Sequence, residues 1–169
     1  MSDTSAVQKP NLILLAAGVA AATLASAAEA PPGGPRPAEA RRVEALVDDA
    51  AARLAEKGEK AFPEFRVRGS RWFNAHTYVF VDDLRMVSRV NGPRPQLEGR
   101  NVMDLKDASG RAFHREWLKL LETADAGWVS YLWPRPGHAR PSRKWTYIRK
   151  AAAGAETYIV GAGVYERRK

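Results

Sequence analysis

The sequence predicts an α+β domain, and three features carry that assignment. One amphipathic run, Ala38–Lys57, opens the folded part of the chain. Period-two segments rich in β-branched and aromatic residues form a hairpin near the middle and three further strands at the end. A second apolar-faced helix separates the two strand groups, so mostly antiparallel neighbours are expected. A length of 169 residues leaves room for one ordinary domain and a short appendage.

The appendage comes first. Residues 1–10 are polar and include Lys9, an uncharged stretch runs from Leu12 to Leu24, and small residues follow at Ala25, Ser26, Ala27 and Ala28. This is the layout of a secretory signal peptide over 1–27, with cleavage expected after Ala27; Ala28-Glu29-Ala30 is a second fitting triplet, but it would leave Pro31 at the new terminus. The apolar run is about thirteen residues, short of the roughly 20 that span a bilayer. An uncleaved anchor, or a buried Ala-rich helix, is the alternative that Asp3 and the many alanines keep open. The expected location is periplasmic or secreted. Residues 28–37 form a Pro/Gly-rich linker, since PPGGPRP at 31–37 suits neither helix nor sheet.

Residues 38–169 form the domain. Over Ala38–Lys57, Val43, Leu46, Val47, Ala50 and Leu54 recur at helical steps, and Gly58 ends the helix. A short helix is expected over Glu59–Arg66, with Phe62 and Phe65 three apart. Thr77–Val81 and Met86–Val90 read as a hairpin turning at Asp82–Arg85, residues 91–101 as a loop, and Asp107–Gly110 as a turn. Ala112–Ala124 is a helix with Phe113, Trp117, Leu120 and Leu121 on one face. Gly127–Trp133, Lys144–Lys150 and Glu156–Tyr165 are the closing strands. Gly161 and Gly163 inside the last one mark close backbone approach or a bulge rather than a phosphate loop, because no helix follows.

Composition removes several chemistries. There is no cysteine, which excludes disulfide frameworks, thiolate zinc sites and thiol nucleophiles together. The three histidines, His76, His114 and His138, make no metal-ligand pattern, and Ser88, Ser130 and Ser142 have no histidine at a suggestive spacing. Asp82-Asp83 is a carboxylate pair, but strand neighbours point to opposite faces and hairpin turns favour Asp. The expectation is no enzyme, no cofactor and no metal. Lys and Arg total 27 against 19 Asp and Glu, a net charge of +8. Arg135, Arg140, Arg143, Lys144 and Arg167-Arg168-Lys169 are the densest cations, yet no nucleic-acid module accompanies them and export removes that partner.

Aromatic residues are the most uneven feature, with Trp128, Tyr131, Trp133, Trp145 and Tyr147 close together. Alternation places Tyr131 and Trp133 on one face and Trp128 on the other, the last read as ordinary packing. It likewise sets Lys144 opposite Tyr147, so one of these two lies outside any pocket that holds the other. Apolar walls with a few placed polar groups are what a small-ligand pocket requires.

From about Val43 onward the chain resembles the bacterial single Cache domains, extracytoplasmic relatives of PAS-like sensor folds. The resemblance rests on ordered segments: Ala61–Phe65 (AFPEF), Tyr78–Val81 (YVFV), Leu97–Asn101 (LEGRN), Asp104–Asp107 (DLKD), Gly110–Phe113 (GRAF), Gly127–Pro134 (GWVSYLWP), Lys144–Ile148 (KWTYI) and Tyr158–Tyr165 (YIVGAGVY). It implies a long N-terminal helix packed on a five- to six-stranded antiparallel sheet. It also implies a pocket for a small molecule, often a short organic acid, sensed on behalf of a membrane-bound receptor or kinase. The chain departs from the family at Asp83-Leu84-Arg85-Met86, where a D-G turn is common, and at Val90-Asn91-Gly92, where Ala-His-Pro is expected. Asn91 there offers a neutral hydrogen bond in place of a cationic one. The expected ligand-binding set is Trp72, Tyr78, Asn91, Tyr131, Trp133, Lys144 and Tyr147. With no membrane span or signalling module after Lys169, the expectation is a stand-alone exported form holding a small organic anion. The competing expectation is an interaction or structural envelope protein with a degenerate pocket and a polyanion-binding basic surface.

Overall fold

The computed structural model describes residues 33–166. The expected signal peptide, its cleavage point after Ala27 and the start of the linker lie outside the described residues. Helix α1 spans Pro37–Lys57, and its first turn is steadied by Glu39, whose carboxylate accepts the Arg36 backbone N–H at 3.3 Å. Ala40, Val43, Val47, Ala50 and Leu54 form its buried stripe, one residue every three or four, as an amphipathic helix requires. Gly58 takes φ +59°, a conformation only glycine adopts at little cost, and ends the helix. The expected second helix divides into a 3-10 turn, Gly58–Ala61, and one helical turn, α2 (Phe62–Phe65). Pro63 at the start of α2 and the burial of Phe62 and Phe65 explain the break.

Five strands form one antiparallel sheet: β1 (Val79–Asp83), β2 (Ser88–Asn91), β3 (Ala126–Pro134), β4 (Pro141–Ala153) and β5 (Glu156–Tyr165), in the order β2-β1-β5-β4-β3. Helix α3 (Phe113–Thr123) precedes β3. The hairpin lies about two residues later than its sequence pattern suggests. Asp83 is the cause: its Oδ1 accepts the backbone N–H of both Arg85 and Val87 at 2.9 Å, moving the turn past Asp82 and leaving Asp82 inside the strand. Met86 closes that turn at φ +59°, where a D-G sequence would have used glycine, and is fully buried. Residues 98–101, within the stretch expected as plain loop, run with Val102 along the free edge of β2: Gly99 N–H bonds Ser88 O, Ser88 N–H bonds Arg100 O, and Val102 N–H bonds Met86 O, at 2.7–3.0 Å.

The sheet divides the interior into two layers. On one face α1 packs over Val79, Val81, Tyr147, Tyr158, Val160 and Ala162. On the other, α3 and the 98–105 segment cover Phe80, Tyr131, Ile148 and Ile159. Strict alternation along β1, β4 and β5 produces both layers from neighbouring residues. Trp128 falls on the α1 face as expected and donates its indole N–H to Glu44 of α1 at 2.8 Å.

Candidate functional site

The second layer contains a small cleft. Its floor is sheet: Tyr78, Phe80 and Asp82 from the first hairpin arm, Ser88 and Asn91 from β2, and Tyr131 and Trp133 from β3. Its cover is α3 with Phe113, His114 and Trp117, together with Leu97, Val102 and Leu105. Asp107 positions that cover. Burial opposes its charge, but hydrogen bonds from the Leu132, Ser109 and Arg111 backbone and the Ser109 hydroxyl outweigh this and hold its carboxyl down at about 2. The turn preceding α3 is thereby tied to β3, and Phe113 stacks on Tyr131 at 4.1 Å with the rings 5° from parallel.

Lys144, on β4, lies against the aromatic wall of the cleft without lining it. Its side chain is fully buried, its Nζ hydrogen-bonds the Tyr78 hydroxyl at 3.0 Å, and the ammonium sits 4.1 Å from the centre of the Tyr78 ring and 5.2 Å from that of Phe80. No carboxylate lies within ion-pair distance of it among the described residues. Two glycines make room for this arrangement. A Cβ on Gly161 would stand 2.2 Å from the Phe80 ring, and one on Gly163 would stand 2.4 Å from the Trp145 carbonyl and 2.9 Å from Lys144 Cε. The close approach expected of these glycines is what the sheet uses them for.

Asp82 is the buried acid of the cleft. Burial is the largest influence and pushes its carboxyl up to about 7; the nearby Ser88 hydroxyl and Lys144 pull it down, and Asp83 adds to the rise. Ser88 stands opposite Asp82 in the β1–β2 register and steadies the charge without completing a well-aligned hydrogen bond. His114 is pushed the other way, down to about 3 by burial, and is a neutral imidazole at physiological pH. Six buried side-chain polar atoms lack a hydrogen-bond partner among the described residues, and four of them belong to this one cleft: Ser88 Oγ, Asn91 Oδ1, His114 Nδ1 and Trp117 Nε1. Each such atom costs about 1–3 kcal/mol when left unsatisfied, so their gathering points to a polar occupant.

The structure divides the seven sequence-predicted site residues. Tyr78, Asn91, Tyr131 and Trp133 line the cleft, and Lys144 joins them on that face of the sheet through its bond to Tyr78. Trp72 and Tyr147 do not, which corrects the expectation for both. Tyr147, three residues from Lys144 and so on the opposite face, packs toward α1 with its ring 5.4 Å from Trp128. Trp72 packs on Phe65 at 5.2 Å under the stacked Arg71 guanidinium. Sequence reasoning missed Asp82, Ser88 and His114. The signal available for His114 was its place on the apolar face of α3, next to Phe113 and three before Trp117.

Residues 55–168 match a family model described as a Cache domain (dCache_2). The methyl-accepting chemotaxis protein McpP of Pseudomonas putida is 32% identical over 88 residues, 52% of this chain and 16% of that receptor's length. Among solved structures, a Cache chemosensory domain described for carboxylic acid recognition superposes with a TM-score of 0.63 at 28% identity, covering 77% of this chain and 95% of the other. A periplasmic sensor domain of a chemotaxis protein gives 0.58 at 26% identity, covering 73% and 88%. A methyl-accepting chemotaxis protein from Vibrio parahaemolyticus gives 0.61 at 20% identity, covering 76% and 88%, and shares the fold.

Proposed function

Since the chain belongs to the Cache domain family of sensor domains, we propose that its cleft binds a small organic anion, short carboxylic acids first among them. The observation that carries this reading is Lys144: a fully buried ammonium with no carboxylate within ion-pair distance among the described residues, bonded to the Tyr78 hydroxyl and set among aromatic rings, with Asp82 acting on it from further away. A buried unpaired charge is costly, and an anionic ligand is what would compensate it. The Lys144 ammonium and Tyr78 hydroxyl would take the carboxylate, while Phe80, Phe113, Tyr131 and Trp133 would enclose the carbon chain. The Trp117 indole N–H and Ser88 hydroxyl supply further donors. The carboxylic acid recognition described for a structural neighbour supports the same ligand class.

In the closed form the cleft has a volume of about 20 Å³, room for about one water. Ligand entry therefore requires the 92–105 segment or α3 to move outward. The domain would act from the periplasm or the exterior and report to a membrane-bound receptor or kinase, as a sensor without chemistry of its own. No helix among the described residues is long and apolar enough to cross a membrane. The small volume favours a second reading, an interaction protein whose cleft stays empty.

A thermal-shift and calorimetry screen against short carboxylic acids, amino acids and amines separates the two. A ligand at a hundred times its Kd stabilises the fold by about 2.7 kcal/mol, a shift of several degrees. A saturable acid that Lys144→Ala weakens supports the anion site. A well-folded protein silent across the panel moves the assignment to the interaction protein.

A further inference from the structure

We propose that a second, separate anion site lies where α1 begins and β5 ends, and that it takes a phosphate group, whether on a free small molecule or on a lipid headgroup. A cleft of about 470 Å³ opens there, within the size range of small-molecule sites and far larger than the closed one on the other face. Val43, Leu46 and Val164 give it an apolar base, and four basic residues line it: Arg42, His76, Arg135 and His138. Glu39 is the carboxylate in the lining, and it already bonds the Arg36 guanidinium at 3.2 and 3.3 Å.

Arg135 is positioned but not satisfied. Its guanidinium sits 5.2 Å from the centre of the Tyr165 ring, and one Nη donates to the Glu166 carbonyl, while Nε is buried without a partner. The other Nη makes no hydrogen bond among the described residues, so the held guanidinium keeps a donor for a phosphate oxygen. Arg42 makes no ion pair or hydrogen bond among the described residues. Nine other arginines, from Arg36 to Arg149, pair with carboxylates, and Arg42 is among those that do not. Two guanidiniums and two imidazoles around one concave surface supply more donors than a carboxylate can use and suit the several oxygens of a phosphate.

The test is calorimetric titration of the full 169-residue chain with inorganic phosphate, glycerol 3-phosphate and acetate. Sedimentation with phosphatidylglycerol and phosphatidylcholine vesicles runs beside it. The protein is compared with an Arg42→Gln/Arg135→Gln double variant and with Lys119→Gln, which removes an exposed charge from α3 on the far face of the sheet. The expected result is saturable binding of a soluble phosphate, or of phosphatidylglycerol vesicles only, weakened at least tenfold in the double variant and unchanged in Lys119→Gln. The first outcome identifies a free phosphorylated ligand and the second a lipid headgroup. Should the double variant prove unfolded by circular dichroism, Arg42→Gln alone, at an exposed position, carries the same expectation of weakened binding. Absence of binding in both arms, equal weakening by Lys119→Gln, or acetate binding as tightly as phosphate at the arginine-dependent site overturns the proposal.

Discussion

Lys144 and Tyr78, 66 residues apart in sequence, meet twice: the ammonium hydrogen-bonds the phenol oxygen at 3.0 Å and lies 4.1 Å from the centre of the same ring. Tyr78 is thus both hydroxyl partner and aromatic wall for one buried charge. Lys144→Ala should weaken a bound carboxylate by roughly 1.5–3 kcal/mol, about ten- to a hundredfold in Kd. Lys144→Met retains the bulk and removes an unpaired buried charge, so it should lose binding while keeping or raising Tm. Calorimetry and melting of both variants check this; retained affinity in either would remove Lys144 from the site.

Asp82 makes the cleft sensitive to pH. Its folded carboxyl titrates at about 7 against an ordinary 3.8, so between those values the folded state holds a proton that the unfolded chain has released. Stability from this group therefore falls as pH rises from about 4 to about 7, by up to about 4 kcal/mol, and stays low above that. The groups facing it are Lys144, Ser88, Asp83 and Tyr131. A carboxylate ligand would meet an added negative charge above pH 7, and its affinity should drop by up to tenfold per pH unit. Asp82→Asn should flatten both profiles, measured by melting and by calorimetry from pH 5 to 9. A wild-type affinity constant across that range would show Asp82 uncoupled from the ligand.

Gly163 tests whether the space around Lys144 is set by the backbone. An alanine Cβ there would stand 2.4 Å from the Trp145 carbonyl, a rigid neighbour in the β4–β5 ladder, and 2.7 Å from Thr146 Oγ1. Gly163→Ala should cost about 1–3 kcal/mol of stability by overpacking. At Gly161 the obstacle is the Phe80 ring at 2.2 Å, a side chain that can tilt, so Gly161→Ala should cost less. Denaturant unfolding of the two variants would rank them, and the reverse order would contradict the rigid-backbone explanation.

Much of the fold was legible because its signals are local. The stripe from Val43 to Leu54, Gly58, the Asp107–Gly110 turn and the bounds of β5 all follow from periodicity or turn chemistry. Alternation also sorted Tyr131, Trp133 and Trp128 onto their faces. It could not decide between Lys144 and Tyr147, because that choice depends on which face α1 covers, a tertiary fact. The hairpin slipped because Asp83, not Asp82, binds the turn amides, and the slip hid Asp82 as a buried acid. His114 escaped because the histidines were weighed only for metal-ligand spacing, whereas its position beside Phe113 and three before Trp117 buries it among those rings.

Glu98 connects the 98–102 segment to the rest of the domain. It accepts three hydrogen bonds from the Arg66 guanidinium at 2.8–3.1 Å and one from the Asn91 backbone N–H at 2.7 Å. Because Leu97, Val102 and Leu105 cover the cleft, loosening this clamp should make the cover lift more readily. Arg66 is 37% exposed and Glu98 20%, so solvent screens the pair and Glu98→Ala should cost only about 1 kcal/mol. Its larger effect is local. The amides of Gly99 and Val102 should exchange with deuterium faster in the variant, while those of β4 and β5 should not. Stopped-flow binding of the acid identified by the screen should show a higher association rate, since the closed form is less favoured. Faster exchange with an unchanged association rate would place the entry path at α3 instead.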